Sequence, residues 1–125
     1  MKVTAGAIAL GDYNMLTHNV GRPSADVTIL KGIQNKDLIS LRWDADFIVE
    51  VTEENRAKYG YKIAAGALGA ILLGPIGLLI GALGAGSSKV IHLAVSLKDG
   101  RGFTVEVEPK EWALIRLICK DQILT

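Results

Sequence analysis

The sequence predicts an α+β fold: a small antiparallel sheet or half-barrel, an inserted glycine-rich apolar helical hairpin, and a C-terminal helix. Three observations predict it. Short runs of alternating apolar and polar residues occur on both sides of the chain's middle. A long uncharged stretch rich in glycine and leucine separates them. Pro109 then precedes an apolar stripe at helical spacing. The 125 residues are read as one domain, 1–125, long enough for a real core. Residues 63–88 are its apolar helical insertion.

The start, MKVTAGAIALGDYN, has a lone lysine and a short apolar run that Gly11 and Asp12 end early. It is read as a strand; a weak signal peptide is the minor alternative, since the run lacks a long apolar core and a cleavage region. Gly21, Arg22, Pro23 and Ser24 mark a turn, and Asn35, Lys36 and Asp37 mark a second. Between them Val27, Ile29 and Lys31 oppose Thr28 and Leu30. Ile39, Leu41 and Trp43 oppose Ser40 and Arg42, and Phe47, Val49 and Val51 alternate with Ile48, Glu50 and Thr52. All three patterns predict strands. Thr52 is placed to cap a helix, with Glu53 and Glu54 in its first turn, where carboxylates interact well with the helix dipole. Gly60 weakens that helix.

After the insertion, Ile91, Leu93, Val95 and Leu97 form one face of a strand. Asp99-Gly100 signals a two-residue hairpin of type I′, which needs positive φ at both central positions. The return strand places Phe103, Val105 and Val107 on one face and Thr104, Glu106 and Glu108 on the other. Pro109 opens the final helix, whose apolar face is Trp112, Leu114, Ile115, Leu117 and Ile118. Trp43 and Trp112 are expected as core anchors; an exposed Trp43 would instead point to an interface.

The insertion contains GALGAILLGPIGLLIGALGA, which reads nearly the same from either end about a point between Pro75 and Ile76. Gly74 faces Gly77, Leu73 faces Leu78, Leu72 faces Leu79 and Ile71 faces Ile80. No charge occurs between Lys62 and Lys89. Two geometries compete. As one helix, 63–88 aligns Ala67, Ala70, Gly74, Gly77, Gly81 and Gly84 in a heptad seam of small residues, which lets helices approach closely. That helix would be roughly 39 Å long, enough to cross a bilayer core of about 30 Å. As a hairpin, Gly74 ends one helix and Pro75 starts another. Antiparallel arms then pair residues equidistant from the turn, which accounts for the mirror pattern. Each arm is about 15 Å, too short to span a membrane. The hairpin is the preferred geometry. Leu72, Leu73, Ile76, Leu78, Leu79 and Ile80 are more apolar bulk than a small sheet covers, which points to partner or membrane contact; a hairpin filling its own domain core is the plainer alternative.

Lysine plus arginine number 14 and aspartate plus glutamate 13. The charges alternate in sign on both flanks, which gives a solvated surface and no basic footprint for nucleic acid. Cys119 is the single cysteine. It excludes an internal disulfide and a cysteine-rich metal site, and it fits a reducing, cytoplasmic location.

Catalytic patterns are not found. His18 and His92 are far apart in sequence and in no metal-ligand spacing. His92 is expected at the surface and His18 in a loop. Cys119 is read as a packed or surface residue rather than half of a Cys–His pair. Asp44 and Asp46 share a face if extended, yet a solvated turn explains them better than acid–base or cation chemistry. No phosphate-loop motif occurs; Gly84, Gly86, Ser87, Ser88 and Lys89 come closest, but they precede a strand. No metal, cofactor or catalytic residue is assigned.

The runs VEVTEENRAKYG, GALGAILLGPIGLLIGALGAG and KVIHLAVSLKDGRGFTVEVEPKEW resemble, in that order, a group of uncharacterised bacterial proteins. These share an acidic TEEN-type stretch, an apolar segment with a central GPxG, and a strand pair turned by DGR. Some appear beside a short oligomerisation domain called SHOCT. The strands and final helix also resemble a bacterial pleckstrin-homology-like half-barrel. The resemblance covers residues 47–115 and implies no catalytic residues. The chain lacks a SHOCT-like C-terminal segment, and residues 1–30 lie outside the resemblance.

The sequence therefore supports a non-enzymatic, self-associating binding or scaffold module as the first expectation. Its contact residues are Ala67, Ala70, Gly74, Gly77, Gly81 and Gly84 with Leu72, Leu73, Ile76, Leu78, Leu79 and Ile80. Homo-oligomers are the expected partners, with a membrane surface or another protein as further candidates and no nucleic acid. The alternatives are a membrane-associated protein using 63–88 to span or dip, and a small inhibitor or sequestering protein from a phage or mobile element.

Overall fold

The computed structural model describes residues 1–6, 8, 11–30, 38–52, 54, 55, 57, 58 and 90–124. Nine strands and two helices lie among them, and Glu54, Asn55, Ala57 and Lys58 are helical as well. The strands are β1 (Lys2–Gly6), β2 (Gly11–Asp12), β3 (Asn14–His18), β4 (Asp26–Leu30), β5 (Ile39–Ser40), β6 (Ala45–Glu50), β7 (Ile91–Leu97), β8 (Gly102–Val107) and β9 (Ile123–Leu124). The helices are α1 (Leu41–Asp44), a single turn, and α2 (Pro109–Ile118). The fold is α+β. The insertion at 63–88 and all its predicted contact residues lie outside the described residues.

One sheet has six strands in the order β2-β1-β8-β7-β6-β9, and a second has three in the order β3-β4-β5. Every neighbouring pair is antiparallel except β6 with β9, which is parallel. The two-residue β2 and β9 were not anticipated, being too short to show alternation. Ile48 N donates to Gln122 O at 2.9 Å where β9 joins the sheet.

A shared core joins the sheets to α2. Leu93, Val95, Leu97, Phe103, Val105 and Val107 face it from the large sheet, Val27 and Ile29 from the small one, and Trp112, Ile115 and Ile118 from α2. Removing such side chains from water is the main stabilising term. The opposite face of the large sheet is closed as well: Val49, Ala94 and Thr104 are buried there. The Thr104 hydroxyl is satisfied by Thr4 Oγ1 at 2.8 Å.

Three local expectations are corrected. The run Ile39–Trp43 is not one strand. Ser40 caps α1 by accepting from Trp43 N at 3.3 Å, while Ser40 N donates to Asp44 Oδ2 at 3.0 Å. These short-range bonds compete with a strand ladder and win. Trp43 is therefore 55% exposed and anchors no core, whereas Trp112 is buried as expected. The β7–β8 turn is not type I′. Gly100 N donates to Leu97 O at 3.0 Å and Leu97 N to Arg101 O at 2.8 Å, and only Gly100 has positive φ, at 94°. It is a three-residue loop, a type I turn closed by a left-handed glycine. Finally, Leu117 is 62% exposed and does not join the buried face of α2.

Other expectations agree. The β3–β4 connection turns at Asn19–Ser24, with Asn19 at φ 52° and Gly21 at φ 86°. Pro109 is in the first turn of α2, and Glu108 N donates to Glu111 Oε1 at 2.9 Å. Thr52 Oγ1 accepts from Asn55 N at 3.1 Å, and Glu54, Asn55, Ala57 and Lys58 are helical, as a Thr52 cap requires.

Candidate interaction surfaces

Three exposed regions are built by the described residues. The first is the corner where α1 meets the β7–β8 loop. Lys98 N donates to Asp44 O at 2.8 Å, which fixes the loop against α1. Trp43, Asp44, Lys98, Asp99 and Arg101 line a shallow cleft of about 220 Å³. Arg42 lies over the Trp43 ring, 4.8 Å from its centroid, a cation–π contact. The Arg101 backbone N–H and guanidinium bonded to Asp99, at 3.0 and 2.7 Å, hold its carboxyl below the usual carboxylate range. Those two charges neutralise each other.

The second region is a cleft of about 420 Å³ between the β3–β4 turn and the end of α2. Val20, Pro23 and Leu117 supply apolar walls, and Arg22, Arg42 and Lys120 supply positive charge. Arg42 is already committed: its Nη1 donates to Ala25 O. The cleft therefore presents two exposed cations on an apolar floor.

The third is the outer face of the small sheet, in which β3 pairs with β4 alone among the described strands. Leu16 sits opposite Thr28, and Thr28 opposite Ser40. Leu16 is 47% exposed on this side, and Leu30, half-buried, lies on the same side opposite Asn14; Leu38, just before β5, is also 47% exposed. His18 Nε2 lies 3.0 Å from Thr28 Oγ1, which satisfies that buried hydroxyl. Ser40 Oγ donates to the Asp26 carboxylate at 2.8 Å.

The titratable residues considered for chemistry are dispersed. Cys119 is fully buried beyond α2, and burial pushes its thiol up to about 12; the Asp26 charge adds to this and Arg42 opposes it. A protonated, enclosed thiol is a poor nucleophile. His92 is not the surface residue expected: its side chain is 10% exposed, with Nδ1 4.0 Å from Glu106 Oε1 across the β7–β8 ladder. Its strand neighbours Leu93 and Ala94 are both buried, so both faces of β7 are enclosed there. His18 is on β3 and not in a loop. Asp44 closes α1, while Asp46 projects to solvent from β6. Among the described residues no three His, Cys, Asp or Glu side chains gather as a metal site. Among the same residues no helix is long and apolar enough to cross a membrane.

Sequence reasoning missed β3 and the exposed Leu16 that it places on the outer face of the small sheet. The stretch NMLTH carries adjacent Met15 and Leu16, so its alternation is blurred. Comparison with known protein families, characterised proteins and solved structures gives no match for this chain.

Proposed function

We propose that this protein is a non-enzymatic, self-associating binding module, in which residues 63–88 form a glycine-rich helical hairpin that mediates oligomerisation. The observation that carries this reading is the uncharged seam of Ala67, Ala70, Gly74, Gly77, Gly81 and Gly84, flanked by six large apolar residues. Leu72, Leu73, Ile76, Leu78, Leu79 and Ile80 supply the apolar contact area.

The strands on either side of the insertion support a hairpin over one long helix. β6 and β7 are hydrogen-bonded neighbours, and Val51 N donates to His92 O at 2.8 Å. The chain between Val51 and His92 thus departs and returns at nearly one place. A hairpin does this naturally. A single helix of roughly 39 Å would separate its ends. The non-helical part of 51–62 would then have to run almost fully extended, at about 3.4 Å per residue, to close the gap.

Light scattering after size exclusion, in buffer without detergent, tests this function. A discrete oligomer is expected, and Gly77→Leu or Gly81→Leu is expected to lower its mass by wedging the seam apart. A stable monomer of the native sequence would exclude the proposal. The absence of charge between Lys62 and Lys89 favours a second reading, a segment dipping into one leaflet. Aggregation relieved only by detergent would put that reading first.

A further inference from the structure

The cleft between the β3–β4 turn and the end of α2 joins exposed apolar side chains to uncompensated positive charge. We propose that it receives an acidic peptide segment of another protein, with an apolar side chain set against Val20, Pro23 and Leu117 and carboxylates against Arg22 and Lys120.

The apolar half rests on side chains that the fold does not use. Val20 is 47% exposed and Leu117 62% exposed, and both line the cleft. Leu117 sits on α2 beside Trp112, Ile115 and Ile118 yet takes no part in their buried face. Exposed Trp43 adjoins the same region, because Arg42 lines the cleft and lies over the Trp43 ring. Aromatic and arginine side chains are enriched where binding energy concentrates. The wall that carries Val20 and Arg22 is also held in place. Arg22 N donates to Asn19 O and Ala25 N to Arg22 O, each at 3.0 Å, while Ala25 O accepts from Arg42. A wall fixed before docking loses little freedom on docking.

The charge half selects the occupant. Arg22 and Lys120 are exposed, and neither forms an ion pair among the described residues. No acidic residue lines the cleft. The whole chain has 14 basic and 13 acidic residues, so this excess is local. The helix dipole accounts for a cation at the end of α2, but not for Arg22 on the opposite wall. Sites for small molecules enclose most of their ligand. Walls as exposed as Leu117 and Val20 do not, so the occupant has to bring its own cover, as a protein segment does. Complementary charge then sets its register and speeds its arrival.

The test measures fluorescence anisotropy of a short labelled peptide of alternating glutamate and leucine, titrated with the full chain. Salt is kept at about 0.15 M, where exposed charges more than about 8 Å apart are largely screened. Saturable binding is expected, and none for the same peptide with lysine in place of glutamate. Arg22→Glu and Lys120→Glu should each weaken binding about tenfold, since like charges brought together oppose docking. Leu117→Ser should weaken it through the apolar wall. All three positions are exposed, so the fold should persist, which circular dichroism verifies. Lys110→Glu makes the same change in net charge at an exposed position outside the cleft and should leave binding unchanged. Absence of saturable binding overturns the proposal. Equal loss from Lys110→Glu overturns it as well, because overall charge is then responsible, and so does native affinity in Leu117→Ser. Vesicles of phosphatidylserine form the last arm: if they bind through Arg22 and Lys120 while the peptide does not, the cleft is a membrane contact and the proposal fails.

Discussion

Cys119 is a core side chain with an ionisable end, and its position fixes a direction of pH dependence. Folding raises its pKa from 9.0 to about 12. Between those values the unfolded chain has released the proton and the folded chain retains it. Stability is therefore unaffected by this group below about pH 9 and falls as pH rises towards 12. Urea unfolding across that range should show a steeper loss for the native protein than for Cys119→Ala. The two tryptophans make a second contrast. Trp112 is buried in the shared core, so Trp112→Ala is expected to cost about 3–5 kcal/mol in the same assay. Trp43 is exposed, and Trp43→Ala should stay within about 0.5 kcal/mol of native. A large loss from Trp43→Ala would mean that its contact with Arg42 stabilises α1 more than exposure implies.

At the scale of elements, glycine positions show what the backbone demands. Gly6 ends β1 at φ 129°, and a Cβ there would sit 2.5 Å from Gly102 O and 2.6 Å from Phe103 Cβ. Gly6→Ala must push β1 off β8, at about 1–3 kcal/mol for the overpacking alone. Gly21, at φ 86° with open space around it, bears only the conformational cost, about 1 kcal/mol for Gly21→Ala. Thermal melts of the two variants should rank Gly6→Ala clearly lower. These elements also show what was legible beforehand. β7, β8 and α2 announced themselves because period and punctuation agreed: Leu93, Val95 and Leu97 alternate, Gly100 turns the chain and Pro109 starts a helix. α1 was hidden because Ile39, Leu41 and Trp43 mimic a strand, and the deciding bonds involve the Ser40 hydroxyl and the Asp44 carboxylate. A hydrophobicity pattern does not register those. The three-residue loop was misread because Asp-Gly suits two turn types, and the strand register selects between them.

For the whole molecule, the decisive arrangement is the large sheet, closed on both faces and interrupted between two adjacent strands. Alternation indicated one apolar face for β7 and β8, and that face is the shared core. It did not show that the opposite face would also be buried, since Ala94 and Thr104 look unremarkable in sequence. Nor did it show that β3 would pair with β4, because pairing partners are set by topology and not by local composition. The same arrangement imposes an order on folding. β7 and β8 are joined by three residues and meet after closing a very small loop, whereas β6 meets β7 only after the whole long connection has been drawn in. Closure entropy rises with loop length, so the β7–β8 hairpin with α2 is expected to form the nucleus and β6 to dock afterwards. Stopped-flow kinetics should then show Val105→Ala slowing refolding, while Ile48→Ala mainly hastens unfolding. Until β6 docks, the strand edge of β7 stands open to other chains, and the protein would be most prone to misassembly in that interval.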